Sequence, residues 1–262
     1  MVDLRKIPDE EEHMKRLSLS IVIMVALAVF GLLSGCAQET ETIRVATDAT
    51  WPPFESVNEQ TKEIEGFDID LMKAIAEEAN LEIEFVNVGW DPLLAGMAQC
   101  QYDAAISAMT ITEERAKAFL FSDPYFNAGQ LVTVQKSNTD ISSKDDLGGK
   151  VVGAQIGTTG SFEVEKIPGA TLKTYDDIGL AYQDLINGQI DAVIADNPLA
   201  LEYVGTNPTK LKAVGEVFTD ESYGIAICKT EGDLQKKINS GLKAIMTQGL
   251  IDELIEKWLS GD

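Results

Sequence analysis

A chain of 262 residues with 45% hydrophobic content can bury one large core or two modest ones, and its formal charge at pH 7 is −22. Such acidity argues against nucleic acid as a partner. The single histidine, His13, lies in a segment that reads as removed on export, so neither a histidine-based triad nor a His-ligated metal site is expected, and no metal or cofactor is assigned.

Residues 17–33 are apolar apart from Ser18, Ser20 and Gly31, follow Lys15-Arg16 and lead into Leu33-Ser34-Gly35-Cys36. The run is short for a membrane span of about 20 residues, so residues 1–35 read as a signal peptide ending in a lipobox-like word, with Cys36 acylated as a membrane anchor. The acidic IPDEEEH is unlike the start of a signal, whereas Met14-Lys15-Arg16 fits one, which makes Met14 a candidate start. Residues 36–42 form a short tether.

The first strand is expected over 43–47, with Asp48 at its carboxyl end. Pro52-Pro53 then forces a loop, which can hold Trp51 and Phe54 over a cleft or tuck them into the core. Helical spacing over 67–80 and alternation over 81–88 complete a β-α-β unit, and Trp90 follows where open parallel sheets place ligands. The word Cys100-Gln101-Tyr102-Asp103-Ala104-Ala105-Ile106 returns as Gly188-Gln189-Ile190-Asp191-Ala192-Val193-Ile194, which suggests two similar α/β halves. Cys100 then occupies the left-handed position that glycine fills in the second copy. Cys100 and Cys228 lack metal-ligand spacing; two buried thiols is the favoured reading, a disulfide the alternative.

Residues 103–109 alternate like a buried strand, and Thr110 to Glu114 supply caps and acids for a helix that puts Arg115 in its first turn. There its charge opposes the helix dipole, so an anion, such as a carboxylate gripped through paired hydrogen bonds, should compensate. A surface ion pair is the plainer alternative. Strands follow over 130–135 and 150–155, with a hinge candidate at 127–129. The turn Gly157-Thr158-Thr159-Gly160-Ser161 presents amides suited to an anion but lacks the lysine of a Walker loop. Asp196 ends the strand over 191–196, where it could meet an ammonium or cap the helix that Asn197-Pro198 invites. Residues 219–223 read as the return hinge, followed by a strand over 223–228 and helices over 231–247 and 250–259.

The words VATDATWPPFE (45–55), GFDIDL (66–71), TITEER (110–115), FSDPYF (121–126) and DAVIAD (191–196) together resemble the family of solute-binding proteins that feed polar amino acids to ABC importers. The resemblance covers nearly all of 43–259. It implies an α/β fold of two Rossmann-like lobes joined by two crossing hinge strands, the type II periplasmic-binding-protein fold, with lobe 1 at 43–128 and 223–262 and lobe 2 at 129–222. It assigns Arg115 and Thr159 to the ligand carboxylate, Ala108, Thr110 and Asp196 to its ammonium, and Asp48, Trp51, Trp90 and Gln155 to its side chain. Relatives selective for glutamine have a lysine where this chain has Gln155, and Arg115 is the one cation at a matched pocket position, so a basic or neutral polar amino acid is expected. The implied protein is a non-enzymatic, monomeric partner of an ABC permease. The alternative is an exported prephenate or arogenate dehydratase, with Asp48 or Glu55 as its acid.

Overall fold

The computed structural model describes residues 42–259. The expected signal peptide, Cys36 and all of the tether except Thr42 lie outside the described residues. The first stretch comprises β1 (Ile43–Thr47), β2 (Thr50–Trp51), β3 (Glu55–Val57), β4 (Ile64–Glu65), α1 (Phe67–Ala79), β5 (Ile83–Asn87), α2 (Trp90–Ala98), β6 (Ala104–Ala105), α3 (Arg115–Ala118) and β7 (Leu120–Phe121). It continues through β8 (Phe126–Ala128), β9 (Gln130–Gln135), β10 (Val151–Gln155), α4 (Thr159–Glu165), β11 (Thr171–Tyr175), α5 (Ile178–Ile186), β12 (Ala192–Asp196), α6 (Asn197–Thr206) and β13 (Leu211–Val214). Finally β14 (Glu221–Tyr223) leads to β15 (Ala226–Ile227), α7 (Gly232–Gln248) and α8 (Leu250–Trp258).

Two five-stranded sheets result, ordered β5-β1-β6-β15-β7 and β11-β10-β12-β9-β13. In the first, β1 runs parallel to β5 and β6; in the second, β10 runs parallel to β11 and β12. An antiparallel strand closes on each trio, β15 against β6 and β9 against β12. The repeated sequence word has one structural job in both sheets. Asp103 takes the Arg44 amide at 2.7 Å and gives its own amide to the Arg44 carbonyl, and Asp191 does the same for Val151, again with a 2.7 Å carboxylate bond.

Helix α1 forms because its apolar residues recur on one side, burying Phe67, Ile69, Leu71, Met72, Ile75 and Ala76, and it stops at Asn80 in the left-handed conformation. Fully burying each of the larger side chains stabilises by about 1.5–3 kcal/mol. Helix α7 lies against it so closely that a Cβ on Gly241 would stand 2.8 Å from the Ile75 carbonyl oxygen. Phe54 belongs to this core, edge-on to Phe67, Phe126 and Tyr223, and does not reach the cleft.

Residues 103–114 depart from expectation. The strand is only two residues long because the chain leaves the sheet at Ser107-Ala108, where Ala108 has φ 43° and donates its amide to Asp68 at 2.7 Å. Thr110 makes an isolated antiparallel bridge with Tyr223, residues 111–114 are loop, and the helix is the four-residue α3 with Arg115 first, its amide capped by the Thr112 hydroxyl. Four residues build little macrodipole, so helix dipole is not what calls for an anion at Arg115.

Cys100 is left-handed as expected, with φ 53°, but it is not a buried thiol. It is disulfide-bonded to Cys228, with the Cα atoms 5.0 Å apart. Pairing of β15 with β6 brings the two together, since the Cys228 amide bonds the Asp103 carbonyl. A left-handed residue that is not glycine costs roughly 1–2 kcal/mol, and the crosslink offsets it.

The sheets are joined where β8 and β14 pair antiparallel. Gly129 follows β8, and a Cβ there would fall 2.2 Å from the Thr219 carbonyl oxygen, so only glycine fits between the crossings. Asn197 pins the spot from α6, accepting the Gly129 amide through Oδ1 at 3.0 Å and donating its own amide to the Gly129 carbonyl.

Because the disulfide spans 128 residues, loop-closure entropy places its contribution at up to about 4–5 kcal/mol. Urea unfolding should therefore show a clearly lower midpoint for the Cys100→Ser, Cys228→Ser double variant. Identical midpoints would show that the bond does not stabilise the fold.

Candidate functional site

Parallel strands aim their carboxyl ends at one region, and the loops leaving those ends carry the polar side chains. Asp48 follows β1, Ser107, Ala108 and Thr110 follow β6, Gln155 ends β10, and Asp196 ends β12. With Trp51, Trp90, Arg115, Thr158 and Thr159 they line a single cavity between the sheets, with about 310 Å³ of atom-free space partly open to solvent.

Arg115 is the only cation among the lining residues. Its guanidinium donates to the Thr110 carbonyl at 2.8 Å and, across the cleft, to the Gly157 carbonyl at 3.2 Å, and lies over the Trp90 ring at 5.0 Å. Burial lowers its pKa to about 10, with Asp196 and Glu221 opposing the shift, so it stays charged at neutral pH. Among the described residues it has no carboxylate within ion-pair distance. The indole N–H groups of Trp51 and Trp90 are likewise buried without an acceptor among the described residues.

The acids are distributed around it. Asp196 accepts the Gln130 amide at 2.6 Å and the Tyr223 hydroxyl; burial, then the charge of Glu221, pushes its pKa up to about 6. Its side chain does not cap α6. Asp48 accepts the Thr50 hydroxyl at 2.9 Å and, from the other sheet, the Gln155 amide at 2.9 Å; burial raises its pKa and those bonds oppose the rise. The Asp48–Gln155 bond therefore straps the two halves together above the cavity floor.

Residues 43–261 match the bacterial extracellular solute-binding proteins, family 3. The chain belongs to this family. The ABC transporter arginine-binding protein 1 of Escherichia coli (strain K12) is 35% identical over 94% of this chain and 99% of its own length. An ancestral arginine-binding protein bound to arginine is 43% identical, covering 84% of this chain and 98% of its own, with a TM-score of 0.80. The corresponding structure bound to glutamine is 44% identical, also with a TM-score of 0.80, covering the same shares. The two lobes and paired hinge strands are thus the type II periplasmic-binding-protein fold, and family members work extracytoplasmically.

In this family 3 protein, all nine residues expected at the site, Asp48, Trp51, Trp90, Ala108, Thr110, Arg115, Gln155, Thr159 and Asp196, border the same cavity. One detail departs from expectation. The Thr159 hydroxyl gives its proton to Glu221 at 2.8 Å, so what Thr159 can offer a carboxylate is its backbone amide at the start of α4. Sequence reasoning missed Ser107 and Thr158 in the lining, and missed Gln130 and Glu221 behind it. The sequence hint for Glu221 was an acid placed inside an otherwise plausible hinge strand.

A buried acid pair was missed in the same way. Asp68 sits on the buried face of α1, accepts the Ala108 amide and, at 2.8 Å, the Tyr125 hydroxyl, and has its pKa pushed up to about 7 by burial. Glu55, also fully buried, accepts the Ser107 hydroxyl at 2.9 Å, and Ser107 in turn accepts the Asp48 amide; burial and then the charge of Asp68 push Glu55 well up. These acids hold the turn that carries Ala108 and Ser107 into the cavity.

Raised carboxyl pKa values mean that the folded state holds protons the unfolded chain has lost. The stabilisation is fully present below about pH 3.8 and fades as pH rises through about 6 for Asp196 and about 7 for Asp68. Melting temperature should accordingly be higher at pH 5 than at pH 8, and Asp68→Asn should narrow that gap. A melting curve indifferent to pH over this range would contradict the assigned shifts.

Proposed function

We propose that this protein captures a basic or neutral polar amino acid, such as arginine, lysine, histidine or glutamine, and delivers it to an ABC importer. The observation that carries this reading is Arg115, a desolvated cation without a carboxylate partner among the described residues, in the same cavity as Asp196. A carboxylate meets Arg115 and the amides at the start of α4, and an ammonium meets Asp196, the Thr110 hydroxyl and the Ala108 carbonyl. Asp48, Gln155 and the two indoles surround the side chain. An acidic ligand side chain would face Asp48 with no second cation to offset the repulsion. Relatives that bind arginine, and an ancestral one seen with glutamine, support the same ligand class.

In this reading lobe 1 comprises 43–128 and 223–262, lobe 2 comprises 129–222, and closure about the paired strands buries the ligand. The closed monomer is what the permease reads. A dehydratase reading finds no support in the geometry: Glu55 is fully buried behind the lining residue Ser107, and Asp48 is held by Gln155 and Thr50.

Calorimetric titration with the twenty amino acids tests the reading. Arg115→Ala should weaken the best ligand by at least about a hundredfold, since it removes paired charge-assisted bonds, while the circular dichroism spectrum stays unchanged. Glutamate should bind more weakly than arginine or glutamine. Retention of affinity within threefold in Arg115→Ala would sink the assignment.

The lipobox-like LSGC word supports membrane anchoring through a lipid on Cys36. Mass spectrometry of the membrane-extracted protein should find Cys36 as the modified amino terminus; a chain that keeps residues 1–35 would rule this out.

A further inference from the structure

The hinge strand β14 carries a carboxylate that reaches the cavity only through other side chains. Glu221 Oε2 accepts the Thr110 hydroxyl at 2.7 Å and the Thr159 hydroxyl at 2.8 Å. Its Oε1 accepts the Thr219 hydroxyl at 2.9 Å and the Gln130 amide at 3.1 Å. One oxygen is therefore shared by a hydroxyl from each sheet's side of the cleft, and both of those threonines line the ligand cavity.

A hydroxyl has one proton and two acceptor sites. With that proton committed to Glu221, Thr110 and Thr159 can present only lone pairs to the cavity. The two Gln130 amide protons are shared among Asp196, Glu221 and Thr159, the last at 3.2 Å, which leaves at least one lone pair free on Thr159 and both on Thr110. Lone pairs stabilise a cationic nitrogen and repel a carboxylate, and Asp196 stands beside them, bridged to Glu221 by the same Gln130 amide. Arg115 and the start of α4 serve the opposite sign. The cavity thus offers both accepting and donating groups, Thr159 supplying a hydroxyl to the first set and a backbone amide to the second, and Glu221 fixes the polarity of the hydroxyls.

We propose that Glu221 is a positioning residue that locks Thr110 and Thr159 as hydrogen-bond acceptors and thereby makes the site select ligands with an α-ammonium group. The assignment rests on the amino-acid reading above and deepens it. Glu221 does not line this cavity itself; it acts through the two hydroxyls. Its place on the return crossing also ties ammonium recognition to the arrangement in which both lobes reach the same oxygen.

The test compares each amino acid with the analogue that lacks only the α-amino group: arginine with 5-guanidinopentanoate, and glutamine with glutaramate. Glu221→Gln keeps the size but puts an amide donor in place of one acceptor, which frees a threonine proton to turn into the cavity. Calorimetry should show the amino acid losing at least tenfold in affinity while its des-amino analogue changes less than threefold. A residue that merely supports the hinge would weaken both ligands alike, and an unchanged ratio overturns the proposal. Should Glu221→Gln not fold, Thr110→Val and Thr159→Val are read by the same ratio, which should fall at least fivefold in each; no change in either overturns it too. A wild type that binds none of the twenty amino acids overturns the amino-acid reading, and the role of Glu221 with it.

Discussion

Everything in this protein turns on two chain crossings packed too closely for a side chain. Gly129 against the Thr219 carbonyl, with Asn197 bonded to both polar groups of that glycine, fixes where the second sheet starts relative to the first. Pairing of β8 with β14 then keeps the two crossings in register. Since each sheet has its parallel strands leading out of the same side, this junction makes two sets of strand ends face one another. Neither set is a binding site by itself: Arg115 and Asp48 come from one, Asp196 and Gln155 from the other.

The cavity shows how charges can be kept out of water without being neutralised by one another. Arg115 rests on carbonyls and a ring, Asp196 on an amide and a phenol, Asp48 on an amide and a hydroxyl. Neutral dipoles tolerate both the ligand's arrival and its departure, whereas a direct Arg–Asp pair would have to be broken each time at a cost of several kcal/mol. In the reading proposed above, a zwitterion entering such a site supplies the missing opposite charge to both Arg115 and Asp196. The buried acids behind the floor, Asp68 and Glu55, act on geometry and not on charge, holding Ala108 in a backbone conformation that alanine rarely adopts.

Much of this was legible in the chain. Alternation and helical spacing gave β1, β5, β9, β10 and β12 and the helices α1, α7 and α8 to within a few residues but not β7, β11 or β13, and the repeated Asp103 and Asp191 words reported two similar halves because the same hydrogen bond is made twice. The polar strand ends marked the cavity. What stayed hidden depended on contacts between distant segments. Nothing local says that Cys228 returns beside Asp103, that a carboxylate in a hinge strand faces two threonines, or that of two buried aromatics Trp51 borders the cavity and Phe54 does not. The short α3 misled for a different reason: caps and acids announce a helix start, but Phe119 is already extended and Leu120–Phe121 pair with β15, so the helix ends after one turn.

The crosslink between Cys100 and Cys228 also alters the mechanical path through the molecule. Tension applied between Ile43 and the end of α8 runs along the chain to Cys100, jumps through sulfur to Cys228 and continues into α7. Residues 101–227, which include both crossings and the whole second sheet, are a closed side loop on that path. The second sheet and both crossings are thereby out of the line of load, and a pull between Ile43 and the end of α8 passes through β1 and α7 without passing through the cleft.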